Sequence, residues 1–121
     1  MKDNGIIRKF ESGATRDTSQ GKLDYEAFLS PLVLQRYAEY LNKHRLQSDG
    51  TLRDGDNWQK GIPIETYMKS KMRHSIDTWL MHRGFPTHAT NEDIEESLCA
   101  ELFNTMGMLF EVLKNKKEAA K

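Results

Sequence analysis

The run Asp93-Ile94-Glu95-Glu96-Ser97-Leu98-Cys99-Ala100-Glu101-Leu102-Phe103-Asn104-Thr105-Met106-Gly107-Met108-Leu109-Phe110-Glu111-Val112-Leu113-Lys114 decides the fold class. At 100° per residue, Ile94, Leu98, Leu102, Thr105, Met106, Leu109 and Leu113 fall in one stripe. Cys99, Phe103 and Phe110 widen the apolar arc to about half the circumference. A helix of this kind needs cover on two sides, at the centre of a bundle or at a subunit interface. The same projection sets Glu95 among the apolar residues. An ionised carboxylate there is costly unless it is paired, hydrogen-bonded or bound to a metal. Its place in the first turn also suits the helix dipole, which favours an acid.

Upstream, Thr90 with Asp93 three places on resembles a capping box and opens this helix. The pattern carries it to about Lys114, and the basic, alanine-rich tail 115–121 is expected to fray. Gly84-Phe85-Pro86 closes a preceding helix that starts near Pro63 and carries Ile64, Met68, Met72, Ile76 and Trp79 on one face. Ser30-Pro31, a capping hydroxyl and a first-turn proline, begins a helix expected over 31–46, with Val33, Tyr37, Tyr40, Leu41 and His44 on one side. Between them Asp49-Gly50, Asp54-Gly55 and Asp56-Asn57 make Gln47 to Gly61 a loop. The acidic pattern of a calcium-binding EF-hand is missing from it. Residues 1–29 show neither helical nor strand period and read as an irregular lead segment. The expectation is a single all-α domain: three main helices at 31–114, an irregular N-terminal segment and a long loop, with the core completed by oligomerisation.

Composition narrows the partners. The 121 residues are 37% hydrophobic and 30% charged, with 18 basic and 18 acidic side chains. A net charge of zero gives no field that favours a nucleic-acid polymer or an anionic membrane, so phosphates would have to be held locally. No signal-peptide h-region or membrane-length apolar run occurs, so a cytoplasmic chain is expected. A single cysteine, Cys99, makes no internal disulfide and reads as a small buried apolar residue.

Several residues could carry chemistry. Glu92, Asp93, Glu95 and Glu96 crowd the first turn of the last helix and supply the oxygen ligands that Mg²⁺ uses. Arg73, His74 and Asp77 lie away from the apolar stripe of the preceding helix. They either form a surface pair at i,i+4 or face the acidic turn across a cleft. Glu39 is placed to pair with Lys43. Trp58 offers a ring on which a purine could stack, or an anchor for the loop, and Lys60-Gly61 puts a cation beside permissive backbone. Asn104 lies off the main stripe, one turn beyond Glu101. Phosphate-loop, nucleophile-elbow and zinc-protease patterns are absent, so covalent catalysis has no visible nucleophile.

The blocks Gly13-Ala14-Thr15-Arg16-Asp17, Gly21-Lys22-Leu23-Asp24-Tyr25, Leu29-Ser30-Pro31, Asn57-Trp58-Gln59-Lys60-Gly61-Ile62-Pro63, Arg73-His74 with Asp77, and Glu95-Glu96 with Asn104 carry a resemblance. Over about residues 10–114 the chain resembles the phage-associated dATP/dGTP diphosphohydrolase N-terminal domain family, similar to the all-α MazG-type nucleotide pyrophosphohydrolases. The resemblance implies Mg²⁺-dependent (or Mn²⁺-dependent) hydrolysis of a deoxypurine nucleoside triphosphate to the monophosphate and pyrophosphate, by a homo-oligomer. It implies that Asp77, Glu95 and Glu96 hold the metal, that His74 and Asn104 orient a ligand or water, and that Lys22, Lys60 and Arg73 meet phosphates. The MazG pattern of Glu-x-x-Glu followed by Glu-x-x-Asp is replaced here by Glu92-x-x-Glu95 and Glu101-x-x-Asn104. The alternative expectation is a non-catalytic nucleotide- or protein-binding phage accessory module of the same fold.

Overall fold

Helices dominate the described residues, 7–18, 21–88 and 92–121, in the computed structural model, which divides into two compact units, Met1–Gln35 and Arg36–Lys121. No helix among the described residues is long and apolar enough to cross a membrane.

In the first unit, β1 (Ile7–Lys9) and β2 (Thr15–Asp17) pair antiparallel with Arg8 opposite Arg16. The connecting turn closes through Phe10 N–H to the Ala14 carbonyl (2.9 Å). Gly13, at φ +90°, takes the left-handed conformation that a side chain would strain. The lead segment is therefore not wholly irregular. Three-residue strands exposed on both faces show no alternation for a sequence pattern to detect. A one-turn helix, α1 (Tyr25–Phe28), follows, with the Asp24 carboxylate accepting from Ala27 N–H (3.1 Å).

α2 (Pro31–Lys43) starts as its sequence predicts, with Ser30 Oγ accepting from Val33 N–H (3.2 Å). It stops before 46 because the chain turns back on itself: Arg53 N–H donates to the Arg45 carbonyl (2.9 Å), and Leu46 bridges to Leu52. Asp49 Oδ1 accepts from the Thr51 hydroxyl (2.6 Å) and backbone N–H (3.0 Å), which holds its carboxyl below the usual range. A 3₁₀ turn at Asn57–Lys60 ends the loop.

α3 (Ile64–His82) ends where Gly84, at φ +78°, lets Phe85 N–H reach the Leu80 carbonyl (2.9 Å). Asp93 caps α4 (Ile94–Ala119) by accepting from Glu96 N–H (2.9 Å); Thr90, the expected cap, lies outside the described residues. α4 continues through the tail that was expected to fray.

α3 and α4 form an antiparallel hairpin. Tyr67, 1% exposed, lays its ring over Gly107 and meets Phe103 edge to face (5.9 Å). Further along, Ser75 and Thr78 face Glu101, and Thr78 faces Ser97. Tyr37, Tyr40, Cys99 and Ala100 make the core, with Leu41, Phe103 and Met106 against it. The expected burial of the α4 stripe is corrected here: Ile94, Leu98, Leu102, Leu109 and Leu113 are exposed. The buried side carries Ser97, Ala100, Asn104, Gly107 and Glu111. Small residues let α3 approach closely, and hydroxyl groups satisfy the carboxylate between the helices, so the less apolar side is the one that packs.

Candidate functional site

A cavity of about 420 Å³ opens in the second unit among the end of α2, the loop, α3 and α4. The residues that give it chemistry are His44, Arg45, Arg53, Trp58, His74 and Asn104. Their positions follow from local structure. Arg45 Nε donates to the Arg53 carbonyl (2.9 Å), adding to the backbone bond between the same residues, so the loop brings both arginines to the cavity lining. Trp58 is pinned by Phe110, the rings meeting at 80° with centroids 4.8 Å apart. It is thus the anchor of the loop and part of the cavity wall at once. Asn104 is buried, its amide nitrogen donating to the Ala100 carbonyl one turn back (2.8 Å), which directs its amide oxygen away from that carbonyl.

His74 belongs also to a second group. Ligand atoms of His74, Asp77 and Glu92 lie within 4.8 Å of one another, all three side chains partly buried. His74 and Asp77 share a face of α3 at i,i+3, and Glu92 comes from the residues just before the α4 cap. Nδ1 of His74 is buried, has no hydrogen-bond partner among the described residues and stands 3.8 Å from Glu92 Oε1. An orphaned imidazole nitrogen beside two carboxylates fits a divalent cation. The mixed nitrogen and oxygen donor set is softer than the all-oxygen set Mg²⁺ prefers.

Two of the carboxylates singled out from the sequence, Glu95 and Glu96, are placed elsewhere. Glu95 is exposed rather than buried, and Arg36 Nε donates to it at 2.7 Å. Glu96, with 14% of its side chain exposed, meets Lys43 Nζ (3.1 Å), His44 Nε2 (3.5 Å) and Arg36 Nη2 (3.6 Å). The bond from Lys43, then that from His44, holds the Glu96 carboxyl below its ordinary range. Lys43, expected to pair with Glu39, is therefore engaged with α4. The wheel rightly sets Glu95 within the apolar arc, but that arc is itself exposed at Ile94, Leu98 and Leu102, and Arg36 of α2 reaches Glu95 there. The set Asp77, Glu95 and Glu96 is not assembled among the described residues; Glu92 is the acid that joins Asp77.

Of the expected phosphate contacts, Lys60 pairs with Asp54 (3.2 Å) and Arg73 is exposed on α3. Lys22 belongs to the first unit, where it lines a separate concavity with Arg8 and Arg16. Arg45 and Arg53 were not singled out from the sequence, although their places on either side of the Asp49-Gly50 turn were a usable signal. Glu101 was likewise passed over. Both its oxygens accept hydroxyl bonds of 2.6 Å, from Ser75 and from Thr78, between α3 and α4. Compared with family models, with curated proteins and with solved structures, the chain finds no match.

Proposed function

We propose that the chain is a cation-dependent nucleoside triphosphate pyrophosphohydrolase, taking a deoxypurine nucleotide in the cavity of its second unit. The observation that carries this reading is the double position of His74, which lines the cavity and also stands with Asp77 and Glu92 as a potential cation site. Substrate and cation would meet at that side chain.

Each residue of the wall then has a task. Trp58, fixed by Phe110, presents a ring against which a purine can lie. Arg45 and Arg53 offer planar guanidinium groups to phosphate oxygens, which a chain of zero net charge must bind locally. Asn104, its nitrogen committed to Ala100, offers an amide oxygen as acceptor for an exocyclic amine. When bound, a divalent cation supplies charge neutralisation at the phosphates and a more acidic water. His74, Asp77 and Glu92 would hold it, and Mn²⁺ suits their donor set better than Mg²⁺.

The test is product analysis with dGTP or dATP and either cation. Pyrophosphate and the monophosphate are expected, with turnover at least 100-fold lower in Asp77→Asn and Glu92→Gln but within a few-fold of the parent in Glu95→Gln. Loss on changing Glu95 and not Glu92 overturns the site. The non-catalytic module is the second reading. It draws support from the engagement of Glu95 and Glu96, the acids that the resemblance assigns to the metal, with Arg36, Lys43 and His44. Thermal stabilisation by nucleotide with no turnover under either cation would favour it.

A further inference from the structure

The first unit holds an arrangement that stability alone does not favour. In the β1–β2 ribbon Arg8 stands directly opposite Arg16, where the Cβ atoms of paired strands come within about 5 Å, and like charges so placed weaken the pairing. A two-stranded ribbon of three residues a side has little stability to give up. None of the ion pairs among the described residues neutralises either arginine; the lysines and arginines they engage are Arg36, Lys43, Lys60, Lys69 and Lys114. Lys22 joins Arg8 and Arg16 around a concavity of about 410 Å³, and Asp17, the acid in its lining, has a partner of its own. Local conflicts of this kind are characteristic of functional sites. A shared anion resolves this one.

We propose that this ribbon binds single-stranded nucleic acid, with backbone phosphates at Arg8, Arg16 and Lys22 and a base against Phe10. Phosphate oxygens suit planar guanidinium groups, and a phosphate between the two arginines turns their repulsion into two attractions. The aromatic ring favours a strand over a free phosphate. Phe10 follows Arg8 by two positions and stands 40% exposed, with the Arg8 guanidinium 5.0 Å from its ring centroid. A base can stack on the open part of that ring. An aromatic platform beside a cationic track holds single strands without reading their sequence, whereas a duplex keeps its base faces closed. The zero net charge of the chain gives no long-range pull, so the attraction acts within about 10 Å of the ribbon at 0.1 M salt. Neither the cavity nor the candidate cation site of the second unit takes part, so the proposal goes beyond the reading of that unit.

The test is fluorescence anisotropy of the full chain with a labelled oligothymidylate of about 12 nucleotides, a pyrimidine strand that carries no triphosphate. Three phosphate-binding cations predict that log K falls with log salt at a slope of about −2 between about 50 and 200 mM. Arg8→Gln, Arg16→Gln is expected to bring the slope to about −0.7 and to weaken binding at least tenfold at the lower salt. Because that variant relieves a repulsion, it should keep the Tm of the parent. Should it fail to fold, the slope of the parent and Phe10→Leu carry the test. Phe10→Leu should weaken binding about tenfold at an unchanged slope, since it removes stacking and no charge. Lys116→Gln, Lys117→Gln takes the same charge from the end of α4 and should leave affinity and slope as they are. Absence of binding at the lower salt, an equal loss in the α4 variant, a slope untouched by the arginine substitutions, full affinity in Phe10→Leu, or displacement of the strand by inorganic phosphate at the same phosphate concentration overturns the proposal.

Discussion

Gly107 seats the ring of Tyr67, because a Cβ there would overlap it. A glycine inside a 26-residue helix costs about 1 kcal/mol of helix propensity, so what it gains is the seat of an aromatic ring that is almost wholly buried. Gly107→Ala should therefore destabilise the protein by about 1–3 kcal/mol in chemical denaturation, the usual cost of overpacking, despite its better propensity. The ring matters more than its hydroxyl. Among the described residues the Tyr67 hydroxyl has no hydrogen-bond partner, and burial, followed by the charge of Glu111, raises its pKa. Removing a buried polar atom that nothing satisfies is close to neutral or favourable, so Tyr67→Phe should keep or raise the denaturation midpoint. A clear loss of stability in Tyr67→Phe would mean that the hydroxyl is bonded after all.

Two tyrosines dock α2 on α4, and they make the contact sensitive to alkali. Burial pushes both Tyr37 and Tyr40 up to about 12 from an ordinary value of 10; Cys99 next raises Tyr37, and Glu92 raises Tyr40. Below pH 10 the folded and unfolded chains both keep these protons. Between 10 and 12 the unfolded chain releases them first, so stability falls as pH rises through that window. Melting followed by circular dichroism should show Tm declining there, and less steeply in Tyr37→Phe, Tyr40→Phe. The two residues were legible from sequence as one face of a helix that starts at Ser30-Pro31, and so were the three main helices. Period and caps are local properties. Two things were not legible. Strands of three exposed residues leave no alternation, and a stripe of leucines does not reveal whether its cover comes from its own chain. Glu95 was misplaced for a related reason: it lies within the leucine stripe, which its own chain leaves exposed, and Arg36 of α2 meets it there.

At the scale of the molecule, every residue named for the cavity and for the cation lies in the second unit. The blocks that carry the family resemblance extend through both units and include Lys22 as a phosphate contact. These two views separate in one experiment. A fragment of residues 30–121 keeps Ser30, whose Oγ accepts from Val33 N–H, and so preserves the start of α2. At a nucleotide concentration a hundredfold above Kd, binding to the folded state alone stabilises it by about 2.7 kcal/mol, a shift of several degrees in Tm. If the second unit holds the whole site, dGTP with Mn²⁺ should raise the Tm of the fragment as much as that of the full chain, within about a degree. Arg53→Gln keeps the backbone bonds to Arg45 while removing one cation from the wall, and should weaken the triphosphate more than the monophosphate in either background. A fragment that folds but no longer responds to nucleotide would assign part of the binding to the first unit, with Lys22, Arg8 and Arg16 the side chains to change next.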